Sequence, residues 1–128
     1  MMVKSSEMTP SEIIANDRFT QEDGVEKVVS WMQQHLADGT GLLLRSHNSI
    51  MFVIRLAPGI VEVHLYTQDT PLMLAASVRE FYSKLKDSDI TKVYGTTPRT
   101  PRIVELMRVV GVGVQNSDNP QYSWMANV

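Results

Sequence analysis

The sequence predicts a single mixed α/β domain, a mostly antiparallel sheet flanked by helices, in the order α-α-β-β-β-α-β-α-β-β. Three observations carry this. Ile60 to Thr67 alternates strictly, Val61, Val63 and Leu65 one way and Glu62, His64 and Tyr66 the other, which is the period of a strand with two unlike faces. Pro71 to Asp87 repeats apolar residues at Leu74, Val78, Phe81 and Leu85, the period of a helix with one buried stripe. An antiparallel meander followed by two crossover helices then requires a mixed sheet.

The elements follow in order. Thr9-Pro10, Thr70-Pro71 and Thr100-Pro101 share a helix-start signal, because a threonine cap satisfies an orphan N–H and proline lacks the one that would go unpaired. Thr9-Pro10-Ser11-Glu12 reads as a capping box, with Met8 stapling against Ile13, and this helix fades near Asn16. A second helix is expected after Thr20, running to His35 or Asp38 with Val25, Val28, Val29, Met32 and Leu36 on one face. Gly39 ends it as a left-handed cap. Leu42 to Arg45 and Ile50 to Leu56 form a hairpin around Ser46-His47-Asn48-Ser49, and Ala57-Pro58-Gly59 turns into Ile60 to Thr67. The third helix follows, with Glu80 and Lys84 paired on its wet face. After it come a short strand from Thr91 to Thr96 and a fourth helix from Pro101 to Val110. That helix packs through Ile103, Met107 and Val110, and Gly111 ends it. Val112 to Gln115 and Tyr122 to Ala126 close the chain as a hairpin.

Composition narrows the function. At 128 residues the chain suits one domain, burying roughly 65–70% of its unfolded surface. With no cysteine there is no thiolate site or disulfide, and a reducing, cytoplasmic setting is expected. Twelve Lys and Arg against 14 Asp and Glu argue against nucleic-acid binding. No apolar run suggests a leader or a membrane span. The three histidines lack a metal-ligand spacing, so no metal is expected.

The element order and lengths are similar to those of the GNAT (N-acetyltransferase) superfamily. Ile60 to Thr67 would be its fourth strand, Pro71 to Asp87 its long helix, and Ile103 to Val112 resembles its apolar helix ending in Gly-Phe. Its first strand is reduced to Met1 to Lys4. The resemblance implies acetyl-coenzyme A at the start of the long helix, held by Tyr66, Thr67, Gln68, Asp69, Thr70, Leu72 and Arg99. Its general base would be Glu62 or His64, with Tyr66 able to supply the acid. The chain departs from the family at three points. Gln68-Asp69-Thr70-Pro71-Leu72-Met73 lacks both glycines of the R/Q-x-x-G-x-G/A turn, and its Asp69 adds negative charge where a pyrophosphate would sit. Thr100 stands for the helix-starting asparagine. Met107 stands for the tyrosine that protonates the leaving thiolate.

Small divergent proteins of this type occur in bacteriophages, including internal and assembly proteins of short-tailed phages. The resemblance therefore implies a protein that acts mainly by binding a protein partner, in the host cytoplasm or the virion. The alternative is acyl-coenzyme A-dependent transfer to an amine. Elsewhere, Arg102, Glu105 and Arg108 read as a salt-linked helix face, with an anionic ligand at Arg99, Arg102 and Arg108 as the other possibility. His35 and His47 read as exposed. Trp31, Trp124, Phe52, Phe81, Tyr82 and Tyr122 read as core or half-buried.

Overall fold

The computed structural model describes residues 8–97 and 101–128, the side chains of Phe19 and Arg102 excepted. Arg99, Thr100 and the strand expected at Met1 to Lys4 lie outside the described residues. Five helices and six strands run α1 (Pro10–Asn16), α2 (Arg18–Asp23), α3 (Val25–Ala37), β1 (Gly41–Ser46), β2 (Ser49–Ala57), β3 (Ile60–Thr67), α4 (Pro71–Asp87), β4 (Lys92–Gly95), α5 (Pro101–Val109), β5 (Val114–Asn116) and β6 (Trp124–Asn127).

One sheet in the order β1-β2-β3-β4-β6-β5 contains all six strands. Among the paired strands only β3 and β4 run parallel, with α4 crossing between them; α5 likewise crosses from β4 to β5, but β6 lies between those two strands. The β1–β2 hairpin closes at the Ser46–Ser49 pair, with His47 at φ +51°. The register of β2 on β3 shifts between Arg55 and Ala57, beside the expected turn.

Each face of the sheet carries its own core. Val61 and Val63 pack with Val78, Phe81, Leu85 and Val93 beneath α4 and α5. On the other face Ile50, Phe52, Ile54 and Tyr66 meet Ile13, Ile14, Val28 and Met32 of α1 and α3. The alternation of β3 is therefore a division between two interiors.

The N-terminal capping box is present, with Thr9 and Glu12 bonded reciprocally at 3.2 and 3.0 Å. The helix expected after Thr20 is corrected. Gly24, at φ +98°, separates α2 from α3, a backbone angle that costs glycine little and other residues much. Thr20 lies inside α2, fully buried. Val25 and Leu36, expected on the apolar stripe, are exposed, and Val28 and Met32 carry the burial. Gly39 and Gly111 end their helices with φ of +74° and +86°, as left-handed caps do.

Candidate functional site

The site is built around the far half of β3. β4 stops at Gly95, opposite Val63, whereas β3 continues to Thr67. Past that pair the two strands no longer hold each other. Glu62 and His64, on either side of Val63 and on one face, meet beside that last pair: the His64 Nε2 lies 2.6 Å from the Glu62 Oε2. An ionised carboxylate only accepts, so Nε2 carries the proton and Nδ1 is the ring nitrogen left for other partners. The Tyr122 hydroxyl donates to the other oxygen, Glu62 Oε1, at 2.9 Å. The Trp31 ring meets the imidazole edge-on, centroids 4.8 Å apart.

Partial burial by itself raises the Glu62 pKa. The hydrogen bonds from His64 and Tyr122, with the electrostatic influence of the neighbouring imidazoles, outweigh it and hold the carboxyl below its usual range. Tyr122 responds the opposite way. Burial, then the bond to the Glu62 carboxylate, pushes its phenol up to about 12.

Tyr66, the third residue of that strand face, is buried against the α1–α3 core. Desolvation first, then the charges of Asp17 and Asp23, push its pKa to about 12. Tyr66 and His64 share a cleft of about 330 Å³ with Asp23, Lys27, Trp31 and Thr96. That volume falls in the range of small-ligand sites, about 300–1,000 Å³.

At the end of β3 the chain turns into α4, and the turn is tied inward. Thr67 N–H donates to Asp17 Oδ2 at 2.9 Å, Gln68 N–H to the Asn48 carbonyl at 2.9 Å and Asp69 N–H to Thr67 Oγ1 at 3.0 Å. The Asp69 carboxylate accepts from Asn48 N–H at 3.0 Å, Ser49 Oγ at 2.5 Å and Ser77 Oγ at 3.2 Å. The Asp69 charge, expected where a pyrophosphate would sit, is thus held by three donors against β2 and α4. Thr70 caps α4 through its backbone, without a side-chain bond. Pro71 has no N–H, and the Leu72 side chain is 81% exposed. The N–H groups of Leu72 and Met73 have no acceptor among the described residues, leaving two donors at an open helix start.

Across the sheet, between β3, α4 and α5, lies a smaller apolar cavity of about 50 Å³. Val63, Leu65, Tyr82, Ile103, Met107 and Trp124 line it. Trp124 lies over Gly95 so closely that a Cβ there would sit 2.0 Å from its ring. Its indole N–H is buried with no partner among the described residues.

The structure thus brings Glu62, His64 and Tyr66 to one face and places Thr67, Gln68, Asp69, Thr70 and Leu72 at the adjoining turn. His47 is exposed in its turn. His35, expected to be exposed, is half-buried, its ring edge-on to Trp31 and Phe52 and its Nδ1 2.8 Å from Thr40 Oγ1. Arg108 pairs with Glu105 at 2.6 Å. Among the described residues no three His, Asp or Glu side chains gather as a metal site, and no helix is long and apolar enough to cross a membrane. Sequence reasoning missed Tyr122, Asp17, Asp23 and Lys27. No local signal marks Tyr122, which reaches Glu62 across 60 positions.

No family model and no curated protein matches the sequence. Solved structures do match the fold. An acetyltransferase from Bacillus subtilis in complex with CoA superimposes with a TM-score of 0.54 at 11% identity, over 95% of this chain and 92% of that one. The PaiA N-acetyltransferase of Thermoplasma acidophilum, in complex with coenzyme A, gives 0.55 at 12% identity, over 85% and 74%. A probable acetyltransferase of the GNAT family from Chromobacterium violaceum gives 0.57 at 8% identity, over 91% and 76%. With the strand order, the parallel β3–β4 pair and the helix that leaves β3, these likenesses identify the fold of this chain as that of the GNAT acetyltransferases.

Proposed function

We propose that this protein is an acyl-coenzyme A-dependent N-acyltransferase. The observation that carries the reading is the Glu62–His64 pair, held by Tyr122 and bordering a cleft of ligand size. The start of α4 fits an anionic coenzyme in one respect: Leu72 and Met73 present unsatisfied N–H groups at the positive end of a 17-residue helix, the arrangement that binds phosphate. When bound, the coenzyme supplies a thioester carbon; amine attack there forms the C–N bond, breaks the C–S bond and releases a thiolate.

The chain's own residues handle the proton. Glu62 keeps Nε2 protonated, so Nδ1 is the basic nitrogen that takes a proton from the amine. Tyr122 fixes the carboxylate that does this. Trp31 restricts the ring, and orientation of this kind lowers the entropic part of the barrier. Met107 donates no proton to the thiolate, which on this reading is protonated by solvent or by the imidazolium of His64.

A second reading, a protein that acts by binding a protein partner as a phage internal or assembly protein would, has its own support. Gln68 and Asp69 spend their N–H groups inside the protein, and the cavity under α4 and α5 is only about 50 Å³. Calorimetry with acetyl-coenzyme A separates the two. Micromolar binding is expected, adding roughly 2.7 kcal/mol of stability at 100 times the Kd and lost in Leu72→Glu, which sets bulk and negative charge at the helix start. No binding at millimolar ligand would overturn the acyltransferase and leave the partner-binding reading.

A further inference from the structure

Asp23 and Lys27 stand four residues apart, the spacing at which Arg18 pairs with Glu22 at 3.6 Å and Glu80 with Lys84 at 3.3 Å. On an unbroken helix they would pair in the same way. Gly24 interrupts the helix between them with φ +98°, and neither makes an ion pair or side-chain hydrogen bond among the described residues. Both charges line the cleft that holds His64, Trp31 and Tyr66. The break thus leaves a carboxylate and an ammonium facing one space without neutralising each other.

We propose that the cleft binds a free amino acid as its zwitterion. The α-carboxylate meets the Lys27 ammonium, and the α-ammonium meets the Asp23 carboxylate on the side of the cleft that His64 also lines. A modest apolar side chain lies along Trp31 and Tyr66. The charge set decides between ligand classes. A polyamine carries only positive charge and is repelled by Lys27, and the amino end of a peptide lacks the neighbouring carboxylate that Lys27 selects. One acid and one base fit one zwitterion. This rests on the acyl-transfer reading only for the fate of the bound amine; the binding itself requires no coenzyme.

The test uses three molecules of one shape: L-leucine, 3-methylbutylamine (leucine without its carboxylate) and 4-methylpentanoate (leucine without its amine). Each is titrated calorimetrically into the full chain, with and without coenzyme A at roughly 1 mM, the upper end of usual working concentrations. Leucine is expected to bind about ten-fold tighter than either analogue, the worth of one charge-assisted hydrogen bond. Lys27→Met should weaken leucine until it binds no better than 3-methylbutylamine, while that amine, relieved of the Lys27 charge, binds no more weakly than before. Asp23→Asn should weaken both. Equal binding of leucine and 3-methylbutylamine would overturn the proposal, as would binding of none of the three in either condition. Leucine binding in a protein that ignores acetyl-coenzyme A would uphold the amino-acid site and sink the acyltransferase reading alone.

Discussion

At Asp69 a carboxylate accepts three hydrogen bonds, from the Asn48 N–H and the hydroxyls of Ser49 and Ser77. Truncation to alanine leaves the Asn48 N–H without its acceptor and takes one from the buried hydroxyls of Ser49 and Ser77, which keep Thr67 Oγ1 and the Ser46 carbonyl as neighbours, so Asp69→Ala should cost about 1–3 kcal/mol in urea unfolding. Asp69→Asn, which keeps an acceptor, should cost less. Glu62 offers a pH test. Its folded pKa lies below the ordinary value, so its ionised form stabilises the fold above the unfolded pKa, and that stability is lost as pH falls through the lower folded value. Tyr122→Phe removes one of the bonds holding the pKa down. The acid limb of the pH–activity profile, and the Glu62 carboxyl titration followed by NMR, should both move to higher pH. An unmoved titration would show that the Tyr122 bond contributes nothing to the pair.

Among the elements, β3 and α4 were legible at their exact bounds, because strict alternation and a continuous apolar stripe each admit one period. The α2–α3 break was not. A glycine inside a helical pattern reads equally as a tolerated residue or as a boundary, and only the φ of Gly24 decides. Gly24→Ala should cost about 1–3 kcal/mol, the price of that angle for a residue with a Cβ, although nothing crowds the position. The site was half legible for a related reason. Glu62, His64 and Tyr66 lie on one strand face and could be read from period two. Tyr122, Asp23 and Lys27 reach the site through tertiary placement, which leaves no mark on local pattern. The seating of Trp124 on Gly95 is likewise a matter of register between β4 and β6. Gly95→Ala drives a methyl into that ring, and about 1–3 kcal/mol of destabilisation is expected, measurable as a lowered Tm.

For the whole molecule, two interiors share one sheet, and the two tryptophans sort between them. Trp31 packs with the α1–α3 core and Trp124 with the α4–α5 core. If the sheet couples the two sides into one cooperative unit, Trp31→Phe and Trp124→Phe should each show coincident fluorescence and far-UV circular dichroism transitions. A fluorescence midpoint displaced from the dichroism midpoint in either variant would mean that one side melts alone.

The alternation of β3 also constrains how this chain can change over time. Core valines and site residues occupy successive positions, so loss of one residue between Ile60 and Glu62 would rotate every later side chain to the opposite face. Valines would then stand in the cleft, and the carboxylate and imidazole would be forced beneath α4. Substitution within β3 can be gradual, but a change in its length cannot. The place where length can vary is the Ala57–Gly59 turn, where the register with β2 already slips. Insertions and deletions that leave this protein foldable should therefore collect there, outside the strand that holds both its stability and its chemistry.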